Sequence, residues 1–195
     1  MEITSDIVPV AEIPEPSAEL LKSRAGQEFP QYTSTETYAR QILGASQFEL
    51  YYLYAVGLAG NPPFPWIVSP GQSPYIVNLN ETMQVGLIVR FDRSPLSRLL
   101  MCLGTKVTAK FHFEGFGGAA AERDIAVSIT TVKDQFVYWI RTNTTPAAVG
   151  VNPGFYQLAA TVEVGPSTRI DCGKYIYGYG YIGEWRNQFY EGPLP

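Results

Sequence analysis

The sequence is poor in the residue types from which most catalytic and metal sites are built. It contains one histidine and two cysteines in 195 residues, and only 16% of its residues are charged. Zinc sites need several cysteine or histidine ligands at short spacings, and Cys102 and Cys172 match no such spacing. We therefore expect no catalytic residue, no metal and no cofactor. We also expect reduced thiols, because nothing in the sequence directs the chain to an oxidising compartment.

Basic stripes and long apolar runs are also absent. The net charge is −4, and residues 1–45 carry all of it with seven acidic and three basic side chains. A chain without a basic surface does not suit a phosphate backbone, so nucleic-acid binding is not expected. The N-terminus lacks the basic and apolar segments of a signal peptide, and no run approaches the length of a membrane span. We expect a cytoplasmic protein, free or within a larger particle, with no membrane insertion.

Residues 1–45 are predicted to form an acidic, proline-rich arm. The prolines at positions 9, 14 and 16 fix the backbone and remove hydrogen-bond donors, which excludes a regular helix or a central strand over residues 8–16. Two short helices are predicted within the arm. One follows Pro16 and ends at Gly26, and the other begins at the capping-box sequence of residues 33–36 and ends at Gly44.

Residues 46–195 have the periodicity of β-strands. Apolar residues occupy every odd position of residues 83–91 and 107–113, and shorter runs alternate in the same way near residues 125, 138 and 160. Seven to nine such strands with one apolar face predict antiparallel sheets that bury one side each. The sequence therefore predicts an all-β fold, an antiparallel two-sheet β-sandwich of immunoglobulin-like or jelly-roll-like type, with the arm attached.

The connections agree with a sandwich. A serine followed by proline at positions 94 and 95 predicts a short helix between two strands. The run from Asn152 to Val164 contains Pro-Gly-Phe-Tyr at its start and then alternates. It resembles a late strand of immunoglobulin-like and macroglobulin-like domains, in which Pro-Gly-x-Tyr opens a strand. This resemblance covers about a dozen residues and implies a fold class, without any function.

The most unusual segment is the run of residues 175–182, which alternates tyrosine with glycine or isoleucine. In a strand, its four tyrosines would share one face, and the opposite face would be nearly bare at its glycines. We expect the arm, or an edge strand of another subunit, to lie against Gly178 and Gly180, with main-chain pairing at the sheet edge and the flanking rings supplying most of the buried area. The interface candidates are Tyr175, Tyr177, Gly178, Tyr179, Gly180, Tyr181 and Trp185.

Few residues offer an alternative based on chemistry. His112 and Glu114 share a strand face, as a metal or acid–base pair would, but the further ligands of a zinc deaminase are missing. A Ser-His-Asp triad could include His112, although no nucleophile elbow is present. The isolated aspartates at positions 92, 124, 134 and 171 lack the clustering that calcium needs, and the glycines of residues 115–118 predict a turn.

These observations favour a non-enzymatic structural or adaptor subunit of a protein assembly. Its expected partners are other protein subunits, in a homo- or hetero-oligomer, contacted through the arm and the Tyr/Gly-rich strand. One alternative is a carbohydrate-binding module that uses an aromatic platform, because ring faces pack against sugars. A second alternative is a hydrolase of unrecognised type around His112.

Overall fold

A computed structural model describes residues 41–58, 75–117, 121–167 and 175–192. These residues form nine strands, one α-helix and one short 3-10 helix. The strands are β1 (Gln41–Gly44), β2 (Phe48–Gly57), β3 (Ile76–Asn78), β4 (Met83–Phe91), β5 (Thr105–Phe116), β6 (Arg123–Thr130), β7 (Val137–Thr144), β8 (Gly154–Ser167) and β9 (Gly178–Tyr190). Helix α1 spans Pro95–Leu103, and the 3-10 helix spans Ala147–Val149.

The strands form two sheets. The larger sheet has six strands in the order β1-β9-β8-β5-β6, with β3 added beside the far end of β9, and the smaller sheet has the order β2-β4-β7. All neighbours pair antiparallel except β3 and β9, which run parallel. The prediction of an all-β protein with two antiparallel sheets is confirmed, and the parallel pair is an addition to it. The immunoglobulin-like or jelly-roll-like type stays a prediction.

The inner faces of the two sheets form one core. The alternation predicted for β4, β5 and β8 is confirmed, because the predicted inward residues of these strands are fully buried or nearly so. They include Leu87, Phe111 and Leu158, each with no exposed surface. Aromatic rings also pack within the core, and Phe113 and Tyr156 both lie edge-on to Phe189. The periodicity of the sequence therefore correctly assigned the buried side of each of these three strands.

Helix α1 connects the two sheets where a helix was predicted. Ser94 has extended backbone geometry, and its Oγ accepts a hydrogen bond from the backbone N–H of Ser97. The helix ends at Gly104, whose φ of 66° lies in the left-handed region that glycine tolerates best. Thr105 and Thr131 then donate their hydroxyls to the carbonyl oxygen of Leu100, which holds the end of the helix against the larger sheet.

The end of the predicted arm differs from its prediction. Residues 41–44 were predicted to be the last turn of a helix, but they form strand β1, which pairs with β9. The sheet edge offers this segment main-chain partners, and such tertiary pairing overrides a weak helical preference. The remainder of both predicted helices lies outside the described residues. The division of the chain at residue 45 stays a prediction, although β1 ties residues 41–44 to the sandwich.

Candidate interaction surface

Strand β9 begins later than the tyrosine pattern predicted. Tyr175 and Tyr177 precede its first residue, Gly178, so the predicted strand of four alternating tyrosines was wrong at its start. Tyr175 is exposed, whereas Tyr177 packs against the core and its main chain bonds to Val164 and Ser46. Within the strand, Gly178 and Gly180 are buried and Tyr179 and Tyr181 occupy the alternate positions. Two of the four tyrosines therefore belong to the outer face of the sheet.

The bare glycine face is already occupied by the chain itself. A Cβ at position 180 would lie 2.8 Å from Cε2 of Phe48 and 3.0 Å from Cδ1 of Leu50. A Cβ at position 178 would lie 2.9 Å from Cε1 of Phe48. Both contact residues belong to β2 of the smaller sheet. The inward side of these glycines therefore receives the smaller sheet and not the arm, whereas the last residues of the predicted arm, strand β1, pair with Gly178 and Gly180 along the edge of β9. The contact of these glycines with another subunit stays a prediction.

Trp185 also faces inward, because a register irregularity in β9 separates it from Tyr181. Its indole Nε1 donates a hydrogen bond of 3.0 Å to the carbonyl oxygen of Ala55, and its ring centroid lies 4.9 Å from that of Tyr75. Asn187 donates to the same carbonyl oxygen at 2.9 Å. These bonds join β9 to β2. Trp185 therefore lies between the sheets, and its ring is not on the outer face with those of Tyr179 and Tyr181.

The edge of β9 at the tyrosines is covered by β1 of the same chain. Leu43 lies opposite Tyr179, and Ile42 lies opposite Gly180. Because residues paired in register point to the same side of a sheet, Leu43 and Tyr179 share the outer face. Leu43 is 70% exposed and Tyr179 is 41% exposed. The sheet thus ends in an apolar strip two strands wide.

Two further exposed apolar residues lie at the same end of the larger sheet. Tyr175 is 70% exposed and Ile176 is 49% exposed, and their backbone lies against Gly165 in β8. Gly165 has a φ of 125°, and a Cβ there would collide with the carbonyl oxygen of Tyr175, so only glycine suits this contact. We call the residues Leu43, Tyr175, Ile176 and Tyr179 the β1–β9 corner. Exposed apolar residues gathered in this way are typical of interaction sites.

Four polar side chains meet beside this corner, on the outer face of β5, β6 and β8. His112 Nδ1 lies 2.9 Å from Asp124 Oδ1, and His112 Nε2 lies 3.0 Å from Thr161 Oγ1. The ammonium of Lys110 lies 2.7 Å from Asp124 Oδ2. The sequence suggested Glu114 as the partner of His112, but strand pairing brings Asp124 and Thr161 to it. Neither partner could be read from local spacing.

The electrostatics of this group follow from these contacts. Partial burial of Asp124 acts to raise its pKa, but the hydrogen bonds from Lys110 and His112 hold the pKa below its usual range. The hydrogen bond to Asp124, and then its charge, raise the pKa of Lys110. Asp124 therefore stays ionised near neutral pH, and its charge is balanced by Lys110. The imidazole joins a hydroxyl to a carboxylate, which is the order of contacts in a hydrolytic triad.

The position of Thr161 does not favour hydrolysis. Its strand pairs on both sides, with Lys110 opposite it on β5 and Tyr181 opposite it on β9. The surrounding main-chain N–H groups therefore belong to the two ladders and cannot turn toward an oxyanion. A cross-strand hydrogen-bond network accounts for the contacts of Thr161, His112 and Asp124.

A second polar network covers the outer face of the smaller sheet. The hydroxyl of Tyr54 accepts a 2.9 Å hydrogen bond from Nε1 of Trp139 and donates one of the same length to Gln84. The guanidinium of Arg141 lies 4.5 Å from the centroid of the Trp139 ring. Burial raises the pKa of Tyr54 well above its usual value, so its hydroxyl keeps its proton. Tyr54 fills the space over Gly86, which indicates a packing role.

Other sites considered from the sequence are not assembled in the described residues. Within residues 41–58, 75–117, 121–167 and 175–192, no three histidine, cysteine or carboxylate side chains are grouped to hold a metal ion. Asp92 accepts hydrogen bonds from Ser94 and Ser97 at the start of α1. Cys102 is an exposed free cysteine, whereas Cys172 and Asp171 lie outside the described residues.

The exposed rings give a sugar platform little support. Tyr181 lies over Gly183, and Trp185 is turned toward β2, so the described part of the tyrosine segment does not present a continuous row of rings.

No helix in the described residues is long and apolar enough to cross a membrane. Comparisons with known proteins found no matching family model, no similar curated protein and no similar solved structure.

Proposed function

We propose that this protein is a non-enzymatic structural or adaptor subunit of a protein assembly, and that it contacts its neighbours through the β1–β9 corner and the acidic arm. The observation that carries the proposal is the exposure of Leu43, Tyr175, Ile176 and Tyr179 at one end of the larger sheet. Apolar surface of this kind gains free energy when a partner removes it from water. Tyrosine is also among the residues that contribute most to protein interfaces.

The corner is also an edge. Strand β1 is the last strand of its sheet in the described residues, and an edge strand offers main-chain groups to a partner. Residues 41–44, the last part of the predicted acidic arm, form this edge strand. Main-chain pairing would fix the orientation of the partner strand, and the apolar side chains would supply most of the buried area.

The test is the size of the protein, alone and in extract of the cells that produce it. We would compare the wild type with the double variant Tyr175→Ser, Tyr179→Ser by light scattering and by gel filtration of the extract. Phe155→Ser is the matched control, because Phe155 is an exposed ring at the other end of the outer face, beside Phe116. We expect the double variant to lose its partners and the Phe155→Ser control to keep them. Monomers in both settings for the wild type would contradict the proposal.

A hydrolase is the second candidate. One observation favours it: the His112 ring contacts the hydroxyl of Thr161 on one side and the carboxylate of Asp124 on the other. If Thr161 were a nucleophile, Thr161→Ala and His112→Ala would each abolish hydrolysis of an activated ester, while Thr108→Ala would not. If the wild type and both variants release product at the rate of buffer alone, the candidate is excluded.

A further inference from the structure

We propose that the neighbour at the β1–β9 corner is a second copy of this chain, and that the two copies pair antiparallel through their β1 strands. The pairing would join two six-stranded sheets into one continuous sheet of twelve strands around a two-fold axis. This inference rests on the proposed function, because it names the partner of the same surface. Two arguments support it. The other sheet edges carry charges or a backbone irregularity that β1 lacks, and two identical β1 strands can pair around a two-fold axis.

The other edges carry features that oppose pairing with a second chain. Strand β6, at the opposite edge of the larger sheet, exposes Arg123 and Asp124, and strand β7 exposes Arg141. Strand β2 is interrupted by an irregularity at Tyr52, whose φ of 53° turns the backbone away from the extended form. Charges and bulges of this kind are the usual means by which proteins block edge-to-edge association.

Strand β1 has neither a charged side chain nor a bulge, and its four-residue length limits the number of hydrogen bonds that a second strand could make. Its sequence is Gln-Ile-Leu-Gly, without a charge or a proline, and it pairs with β9 in register over all four residues. The short strand β3 borders the same side of β9 further along, at Gln188 to Tyr190, but it contacts β2. Among the described residues, β1 is therefore the edge strand that is most open to another strand.

A copy of the same chain suits this edge for a reason of symmetry. Antiparallel pairing of two identical strands places a two-fold axis between them, so each hydrogen bond is made twice and the contact closes on itself. Because that axis is perpendicular to the sheet, the outer faces of both copies lie on one side. Leu43 and Tyr179 of one copy would then continue into the same two residues of the other, as an uninterrupted apolar strip.

The expected affinity is modest. Two four-residue strands and the corner side chains cover less surface than the roughly 1,200–2,000 Å² of a standard stable interface. We therefore expect a dimer with a dissociation constant in the micromolar range, roughly 1–100 µM. Such a dimer would be visible by sedimentation over accessible concentrations.

The experiment is sedimentation of the full chain between about 1 and 300 µM, a range chosen to bracket the expected constant. The variant Leu43→Lys places two like charges beside the two-fold axis, which should raise the dissociation constant at least about tenfold. Val132→Lys is the control, because Val132 is an exposed apolar residue in the loop between β6 and β7, away from β1. We expect the control to dimerise like the wild type.

Disulfide trapping then tests the geometry. In a background with Cys102→Ser and Cys172→Ser, single cysteines would replace Ile42, Leu43 and, as a control, Val132. Antiparallel pairing around a two-fold axis places one β1 residue opposite its own copy, so a cysteine in β1 should form a covalent dimer under mild oxidation. The control cysteine should not form that dimer.

The outcomes separate this inference from the proposed function. A wild type that is monomeric alone but bound to other proteins in extract would overturn the second copy and leave the assembly subunit in place. A dimer that is unaffected by Leu43→Lys, or that is trapped through position 132 and not through β1, would also overturn the inference. Concentration-dependent dimers, lost in Leu43→Lys and trapped through β1, would establish it.

Discussion

Gly180→Val tests how closely the two sheets approach each other. The first added atom, Cβ, would lie 2.8 Å from Phe48 and 3.0 Å from Leu50, and both distances are shorter than ordinary van der Waals contact. Phe48 cannot easily withdraw, because it is 4% exposed and its ring centroid lies 5.7 Å from that of Phe91. Valine must therefore push the sheets apart or force Phe48 out of its rotamer.

The expected magnitude follows from two opposing effects. Overpacking a well-filled core costs about 1–3 kcal/mol, and two collisions favour the upper part of that range. Replacing glycine in a strand interior returns roughly 0.5–1 kcal/mol by restricting the unfolded chain. We expect Gly180→Val to lower the free energy of unfolding by about 2 kcal/mol, measured by urea denaturation with circular dichroism.

A double-mutant cycle provides the control. Phe48→Leu removes part of the ring that the new side chain would strike, so Gly180→Val should cost at least about 1 kcal/mol less in that background. If Gly180→Val is as stable as the wild type, or if the two changes are simply additive, Phe48 does not occupy the glycine face. The packing described for β2 and β9 would then be incorrect.

Two further predictions concern the core and the outer face of the larger sheet. Phe111→Ala should lower the free energy of unfolding by about 3–5 kcal/mol, because it leaves a cavity, whereas the partly exposed Thr108→Ala should cost far less; urea melts in the opposite order would contradict the face assignment. The folded-state pKa of Asp124 is lowered, so its stabilising effect is present above its unfolded pKa and is lost as pH falls through the folded pKa. Asp124→Asn should therefore reduce the stability lost between neutral pH and about pH 3, and an unchanged acid melt would contradict the roles of Lys110 and His112.

Much of the fold could be predicted because its signals are local. The period of two in Met83–Phe91 identified the buried face of β4, since alternate residues of a strand must point to opposite sides. Helix α1 was also visible, because Ser94 and Pro95 determine its first turn without help from distant residues. These features depend on neighbouring residues and need no knowledge of the tertiary fold.

The features that were missed depend on residues far apart in the chain. The Gly178 and Gly180 face was correctly predicted to permit a close approach, but its partner, Phe48, lies about 130 positions earlier. Likewise, residues 41–44 carry a helix-like pattern, and only the presence of β9 beside them makes them a strand. Sequence alone gives the shape of a contact surface more readily than the identity of what fills it.

The same limit applies to the candidate site. Tyr175 and Tyr179 were named as interface residues from the sequence, and both are exposed. Leu43 was not named, because its importance comes from its position opposite Tyr179 on a neighbouring strand. The absence of charge in residues 41–44 was the available signal. It becomes informative only when those residues are known to be a sheet edge.

Amide hydrogen exchange at two protein concentrations tests the central claim most directly. If β1 pairs with a second copy, amides within residues 42–44 that face solvent in the monomer become hydrogen-bonded in the dimer. With a dissociation constant of roughly 1–100 µM, we predict that their exchange slows about three- to tenfold between roughly 1 and 300 µM, with the amides of Arg123–Thr130 unchanged as an internal control. Exchange of β1 that is equal at both concentrations, or protection that increases at β6 instead, would contradict the account.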